Sequence, residues 1–149
     1  MKPCEIRNIQ EADLSQIMEI ERACFPSPWS LQSFLAEFEK DYSMMVCAVE
    51  AGQIAGYLIA WLLLDEIHIA NLAVHPKERR RGIGESLVQY LINRSEGFRW
   101  IALEVRESNR GARKLYEKLG FHRKGIRRNY YTNEIEDAVI MQKDLIANN

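Results

Sequence analysis

The sequence has little cysteine and no excess of charge of either sign. Its 3 cysteines include no CxxC pair, so neither a disulfide framework nor a zinc site is predicted, and we expect no metal. Lysine and arginine number 20 and aspartate and glutamate 21, giving a formal net charge of −1. Because affinity for a nucleic-acid backbone requires an excess of basic residues, this balance argues against a general nucleic-acid-binding protein.

The sequence also lacks a long uncharged apolar run. No such run approaches the ~18 residues that span a membrane. The opening stretch, MKPCEIRNIQEADL, carries charges where a signal peptide has an apolar core. We therefore expect a cytoplasmic protein with no membrane contact. Cys47 lies in the apolar stretch MMVCAV, which predicts a buried thiol, and the length of 149 residues suits one domain over 1–149.

Hydrophobic periodicity predicts the elements of the first half. A short strand at 4–8 precedes an amphipathic helix at about 11–23, which ends before the prolines of FPSPWS. Ser30 is placed to cap a second helix, LQSFLAEFE. Three β-like runs follow, SMMVCAVE, QIAGYLIAWLLL and EIHIANLAV, with a hairpin turn predicted at Ala51 and Gly52.

The second half alternates helices and strands. A helix at 83–95 is followed by the strand WIALEVRE and by a helix that we expect Ser108 to cap and Gly120 to end. Two β-like runs, at about 121–131 and 135–143, complete the chain. This order predicts a single-domain α/β fold built on a mixed sheet.

The most unusual stretch is HPKERRRGIGESLV, residues 75–88, in which basic residues precede a glycine-rich turn and a helix. The first N–H groups of a helix lack intrahelical partners and lie at the positive end of its dipole. Glycines let a phosphate approach the backbone closely, and arginines reach further phosphate oxygens. The pattern favours a diphosphate ligand at 79–85, and the alternative is a surface turn with solvated arginines.

Two common nucleotide-binding motifs fit this turn poorly. A P-loop ends in GK[ST], which is absent here. A dinucleotide-binding turn has a third glycine where this chain has Leu87, and it belongs to a βαβ repeat that the upstream strands do not form.

A third possibility accounts for more of the chain. Arg79-x-x-Gly82-x-Gly84 matches the [Q/R]-x-x-G-x-[G/A] signature of the GNAT superfamily of N-acetyltransferases, and the order of elements resembles theirs over essentially the whole chain. The resemblance implies a mostly antiparallel central sheet flanked by helices, with a bulged strand near Asn71 to Val74 and a splayed centre. It also implies acetyl-CoA as co-substrate. The cofactor-binding residues implied are Leu72, Ala73, Val74, Arg79, Arg80, Arg81, Gly82, Ile83, Gly84, Glu85 and Asn109.

Acetyl transfer to an amine requires a group that removes a proton from the amine and one that protonates the leaving thiolate. Glu104 lies in an apolar strand on the same face as Arg106, where a carboxylate is costly unless it is paired or functional. The alternative to a functional role is an edge position or an ion pair with an arginine such as Arg106. Tyr116, on the apolar face of its helix, fits either a core aromatic or a proton donor. The segment LEVRESNRGARKLYEKLGF resembles protein N-terminal acetyltransferases, which implies that Glu104 is the general base and Tyr116 the general acid.

Two further segments concern the molecule whose amine accepts the acetyl group. IRRNYYTNEIEDAVIM and FPSPWS resemble the bacterial RimI type, which acetylates the N-terminal alanine of a small-subunit ribosomal protein. The resemblance implies an N-terminal peptide as partner, in a slot lined by Phe25, Pro26, Trp29, Tyr130 and Tyr131. Pro26 and Trp29 fit a loop stop and a core anchor equally well.

Other readings of the same features stay open. His68 is a second possible base or a half-exposed strand histidine. The same fold also serves enzymes that acetylate lysine or small amines, and modules that bind acetyl-CoA without turnover. The presence of both Glu104 and Tyr116 favours an enzyme.

Overall fold

A computed structural model describes residues 4–131 and 136–145, and for residues 129–131 it describes the backbone alone. Within these ranges seven strands form one sheet. The strands are β1 (Glu5–Asn8), β2 (Ser43–Glu50), β3 (Gln53–Leu63), β4 (Glu66–Val74), β5 (Trp100–Arg106), β6 (His122–Tyr131) and β7 (Glu136–Asp144), and the helices are α1 (Leu14–Cys24), α2 (Leu31–Glu37), α3 (Ile83–Asn93) and α4 (Arg110–Lys118). None of the helices described combines the length and apolar character needed to cross a membrane.

The sheet is mixed and mostly antiparallel, as predicted. Its strand order is β1-β2-β3-β4-β5-β7-β6, and the β4–β5 pair is parallel while the other neighbouring pairs are antiparallel. One hydrophobic core lies between the sheet and helices α3 and α4, and a second lies against α1 and α2. Cys47 is fully buried in the second core, and burial raises the pKa of its thiol to about 11.

The ends of the elements follow local chemistry, with one correction. Ser30 caps α2 as predicted, because its Oγ accepts the Ser33 N–H at 3.1 Å. The predicted cap of α4 was wrong. Asn109, and not Ser108, holds the cap position, and its side-chain oxygen accepts the Ala112 N–H at 3.1 Å. The Ser108 N–H donates instead to the Glu136 carboxylate at 2.7 Å.

Strand β4 carries a bulge, one position earlier than predicted. Ile69 is opposite Ala60 and Asn71 is opposite Ile59, so Ala70 is the extra residue. The predicted position was near Asn71 to Val74. The bulge reverses the alternation of β4: Ile67 and Ile69 belong to the core under α3, and after the bulge Leu72 and Val74 pack against that same core.

Candidate active site

The centre of the sheet opens into a gap between β4 and β5. Their parallel pairing ends at His68 opposite Ala102, whereas β5 continues alongside β7 as far as Arg106. The second half of β4, which includes Leu72, Ala73 and Val74, therefore has no strand partner on its β5 side among the described residues. Backbone polar groups seek partners, so the gap suits a ligand that accepts N–H bonds.

The glycine-rich turn leads directly into α3. Arg80 and Gly82 both have left-handed backbone conformations, with φ of 67° and 80°, and α3 begins at Ile83. A Cβ on Gly84 would lie 3.2 Å from the Leu115 side chain and 3.5 Å from that of Val74. Glycine therefore lets the first turn of α3 pack closely against α4 and the end of β4. The free N–H groups of this turn lie beside the open half of β4.

Two of the three predicted phosphate-binding arginines contact other parts of the protein. The Arg81 guanidinium bonds to the carboxylates of Glu50 and Glu78. Arg79 donates from Nε to the Val74 carbonyl at 3.4 Å and from Nη2 to the sulfur of Cys24 at 3.2 Å. These contacts tie the turn to the β2–β3 hairpin, to α1 and to the end of β4. They stabilise the shape of the turn.

Glu104 lies just beyond the point where the strands separate, on the face of β5 opposite Leu103 and Val105. Its Oε2 is 3.2 Å from Nε2 of His68, and its Oε1 is 3.8 Å from Nη1 of Arg127. The hydrogen bond from His68 lowers the pKa of the Glu104 carboxyl below its usual value, and this effect outweighs burial, which acts in the opposite direction. Arg106, weighed as a partner from the sequence, bonds to Glu136 at 3.3 Å.

His68 is held from behind by an aromatic contact. Its ring stacks on Trp61, with the centroids 5.6 Å apart and an angle of 25° between the planes. The indole N–H of Trp61 donates to the buried carboxylate of Glu37 at 2.7 Å, which also accepts from the Ser43 hydroxyl at 2.8 Å. Lys40 lies 4.9 Å over the Trp61 ring. These contacts fix the face on which the imidazole rests.

Tyr116 lies on the other side of the sheet. Its side chain is 5% exposed, belongs to the core under α3 and α4, and makes an edge contact with Phe121 at a centroid distance of 5.4 Å. Glu104 and Tyr116 are therefore on opposite faces of the sheet. Asn109 stands at the start of the same helix, where its side-chain oxygen serves as the cap.

The loop FPSPWS connects α1 to α2 next to the second core. Phe25 and Trp29 are half-buried and pack against that core, whereas Pro26 is exposed. The Trp29 ring packs against Phe34 at 5.2 Å, which favours the core-anchor interpretation of Trp29. The side chains of Tyr130 and Tyr131 lie outside the described residues, although their backbone belongs to β6.

A buried carboxylate joins this loop to the bulged strand. Glu21 in α1 is 1% exposed and accepts hydrogen bonds from the Tyr57 hydroxyl at 2.5 Å, the Asn71 amide at 2.8 Å and the Trp29 N–H at 2.8 Å. Burial, followed by the charge of Glu21, holds the pKa of Tyr57 far above its usual value. Asn71 directly follows the bulge, so Glu21 connects the α1–α2 loop to the strand that borders the gap.

Comparison with known proteins identifies the family. The acetyltransferase (GNAT) family matches residues 14–121. The chain belongs to this family. The resemblance drawn from the signature turn is thereby confirmed, as are the acetyltransferase fold and class of activity that it implied.

Relatives match over nearly the full length. The ribosomal protein bS18-alanine N-acetyltransferase of Escherichia coli (strain K12) is 38% identical over 140 residues, 91% of this chain and 94% of the relative. The enzyme of the same name from Haemophilus ducreyi is 38% identical over 141 residues, 91% of this chain and 97% of the relative. The crystal structure of the Escherichia coli ribosomal-protein-S18-alanine N-acetyltransferase matches with a TM-score of 0.89 and 35% identity, over 98% of this chain and 96% of that one.

A more distant structure shares the fold. Ard1 from Thermoplasma volcanium matches with a TM-score of 0.88 at 22% identity, over 98% of this chain and all of that one.

In the part of the chain that the structure describes, no group of three or more histidine, cysteine, aspartate or glutamate side chains is placed to hold a metal ion.

Sequence reasoning missed three charged residues of this GNAT site. Glu21 and Glu37 are both buried, and each follows an apolar position of its helix at helical spacing, Glu21 seven residues after Leu14 and Glu37 three after Phe34. An acidic residue at helical spacing from the apolar residues of its helix was the signal that could have predicted these buried carboxylates. Arg127 offered no comparable signal, because its contact with Glu104 depends on how β6 and β7 pair.

Proposed function

We propose that this acetyltransferase transfers the acetyl group of acetyl-CoA to the N-terminal α-amine of a protein, namely the N-terminal alanine of ribosomal protein bS18. The observation that carries the proposal is the 38% identity, over 91% of the chain, to the Escherichia coli enzyme named for that reaction. The structural match to the Escherichia coli enzyme at a TM-score of 0.89 supports the same conclusion.

The residues around the gap fit acetyl-CoA. The N–H groups of Ile83, Gly84 and Glu85, at the start of α3, are suited to the pyrophosphate, and Arg80 is an exposed cation beside them. The open half of β4, over Leu72, Ala73 and Val74, offers backbone N–H groups to the pantetheine arm and to the carbonyl oxygen, where they stabilise developing negative charge. Asn109 borders the same ligand from α4. Acetyl-CoA supplies an acetyl group activated as a thioester.

Arg79 and Arg81 serve this site through the shape of the turn. Their guanidinium groups bond to Val74, Cys24, Glu50 and Glu78, which holds the turn in position beside the gap. The prediction from the sequence was that Arg79, Arg80 and Arg81 all contact the cofactor directly, and this role for Arg79 and Arg81 differs from it. The contribution of Arg79 and Arg81 is thus to keep the α3 N–H groups aimed at the ligand.

Glu104 and Tyr116 serve the two proton transfers. An α-amine has a pKa of about 8, roughly two units below that of lysine, so it is the easier amine to deprotonate near neutral pH. Glu104 supplies negative charge at the gap for removal of that proton, and the Tyr116 hydroxyl protonates the departing thiolate. We expect the peptide slot to be lined by residues of the α1–α2 loop and of β6, namely Phe25, Pro26, Trp29, Tyr130 and Tyr131. The single domain over 1–149 and the cytoplasmic location stay predictions.

The test is acetyl transfer from acetyl-CoA to matched acceptors. One peptide has a free N-terminal alanine and no lysine, a second has a blocked N-terminus and one internal lysine, and a polyamine is the third acceptor. We expect transfer to the free α-amine alone. Equal or faster transfer to the blocked peptide or to the polyamine contradicts the proposal and favours an enzyme for lysine or small amines, and binding of acetyl-CoA without any transfer favours a sensor.

A further inference from the structure

His68 contacts the carboxylate of Glu104 at the opening of the β4–β5 gap. It is the last residue of β4 that pairs with β5, and its Nε2 is 3.2 Å from Oε2 of Glu104. Its side chain is 35% exposed, compared with 17% for Glu104. The imidazole is therefore more accessible to solvent than the carboxylate.

The carboxylate of Glu104 is a poor place to leave a proton. Its two oxygens face His68 and Arg127, and both partners favour its ionised form. The pKa of Glu104 is accordingly lowered, with the contact to His68 as the main cause. An imidazole, in contrast, ordinarily changes charge between about pH 5 and about pH 8, where an α-amine has to be deprotonated.

The geometry points to a carboxylate–imidazole pair in which His68 is the proton acceptor for the amine and Glu104 holds it. The inference rests on the proposed function and names how that reaction begins. Nε2 is the ring nitrogen that lies beside Glu104, so we assign the incoming proton to Nδ1 of His68. Glu104 orients the ring and stabilises the imidazolium, as a carboxylate does beside the histidine of a hydrolase triad.

The proton balance of the step is simple. The substrate ammonium gives one proton, directly or through a water molecule, to Nδ1 of His68, which becomes an imidazolium paired with the Glu104 carboxylate. The freed nitrogen lone pair forms the C–N bond to the acetyl carbonyl, the C–S bond breaks, and the thiolate takes the Tyr116 proton. The attacking nitrogen loses its second proton to water as the amide forms, and the Tyr116 oxygen regains a proton from water. His68 then releases its proton to water, which its exposure permits.

The surroundings of His68 favour this role. Trp61 stacks on the ring and fixes its plane, so the imidazole does not have to be ordered during the reaction. The charged side chains near the imidazole come from four elements and one loop. They are Glu104 on β5, Arg127 on β6, Glu66 on β4 itself, Glu37 in α2 and Lys40 just beyond α2, the last two across Trp61. Glu104 is the one of these within contact distance of the imidazole.

The test compares three variants by the pH dependence of kcat/KM for the alanine peptide. His68→Gln keeps an N–H donor toward Glu104 but cannot carry the proton, His68→Ala leaves space for added imidazole, and His122→Gln alters an exposed histidine on edge strand β6. Profiles run from about pH 5 to about pH 9, across the range in which histidine titrates. The dissociation constant for acetyl-CoA, measured in parallel, reports whether each variant is folded and able to bind.

We expect His68→Gln to lose on the order of 100-fold in kcat/KM and to lose the acid limb of the profile, with acetyl-CoA binding unchanged. Imidazole restores activity to His68→Ala in proportion to its free-base concentration, and His122→Gln behaves like the parent. If His68→Gln stays within about twofold of the parent and keeps its acid limb, His68 only positions Glu104 and this inference is overturned. A parent that transfers nothing to the peptide overturns the proposed function, and the inference with it.

Discussion

The side-chain amide of Asn71, the residue directly after the β4 bulge, donates a 2.8 Å hydrogen bond to the buried carboxylate of Glu21 in α1. The same carboxylate accepts from the Tyr57 hydroxyl and from the Trp29 N–H. One side chain thus fixes α1, the α1–α2 loop, β3 and the bulged strand relative to one another. The bulged part of β4, which borders the β4–β5 gap, is therefore held in place by the buried carboxylate of Glu21.

Replacement of Glu21 by alanine is expected to destabilise the protein strongly. Three donors, from Tyr57, Asn71 and Trp29, lose their acceptor in a buried environment, which costs on the order of 3 kcal/mol in the free energy of unfolding. Denaturant unfolding measures the change. Glu19→Ala, an exposed position of the same helix, is the control and should change stability by less than about 0.5 kcal/mol. Equal losses in both variants would show that the buried carboxylate is not needed.

Tyr116→Phe separates the hydroxyl of this residue from its packing. The substitution keeps the ring contact with Phe121 and the burial of the side chain. The proton donor for the thiolate is lost, and kcat should fall by on the order of 100-fold with the dissociation constant for acetyl-CoA unchanged. Tyr90→Phe, in α3, serves as the matched control. An unchanged kcat for Tyr116→Phe would return Tyr116 to the role of a core aromatic.

Gly82→Ala tests the shape of the phosphate turn. Gly82 has φ of 80°, so a Cβ there strains the turn by about 1 kcal/mol and displaces the N–H groups at the start of α3. Gly97, with φ of 92°, is a matched position away from the site. Both alanine variants should lose similar stability, whereas Gly82→Ala alone should bind acetyl-CoA more weakly in a titration. Equal affinities in the two variants would argue against the turn as the phosphate site.

The pair Arg7–Asp13 gives stability a pH dependence. Arg7 donates to both oxygens of Asp13, at 2.8 and 3.0 Å, and this bond lowers the pKa of Asp13, against the effect of burial. A lowered folded pKa contributes stability that is present above the unfolded pKa of about 4 and is lost as pH falls through the folded value. Asp13→Asn should therefore be less stable than the parent by about 1 kcal/mol at neutral pH.

The same comparison repeated at lower pH supplies the check. The stability difference between the parent and Asp13→Asn should shrink steadily as pH falls below about 4. Asp41→Asn, at an exposed position, should show no such trend. A difference that is constant across the acid range would mean that Asp13 titrates alike in the folded and unfolded chains.

Most of the fold was predictable because local patterns determine it. The hairpin at Ala51 and Gly52, with φ of 51° and 77°, and the Ser30 cap both follow from residue chemistry within a few positions. The glycine-rich turn was likewise predictable, since glycine favours the left-handed backbone that Gly82 adopts just before α3. The cap of α4 was missed because Ser108 and Asn109 are both good capping residues, and only the path of the chain decides between them.

The parts of the site that were not predictable depend on contacts between distant segments. The sequence marks Glu104 as a carboxylate that needs a partner or a function. Its partners, His68 and Arg127, are set by the β4–β5 and β6–β7 pairings. The internal contacts of Arg81 with Glu50 and Glu78 similarly require the β2–β3 hairpin to lie beside the turn. Sequence periodicity carries no information about such pairs.

The central claim is best tested on the full-length acceptor. Unmodified ribosomal protein bS18 is incubated with the protein and acetyl-CoA, and the acetylated site is located by fragment mass spectrometry, with Glu104→Gln run alongside. We predict a single acetyl group on the α-amine of the N-terminal alanine, formed by the parent and slowed by on the order of 100-fold or more in the variant. Acetylation of lysine side chains in place of the N-terminus, or an equal rate with Glu104→Gln, would contradict the account.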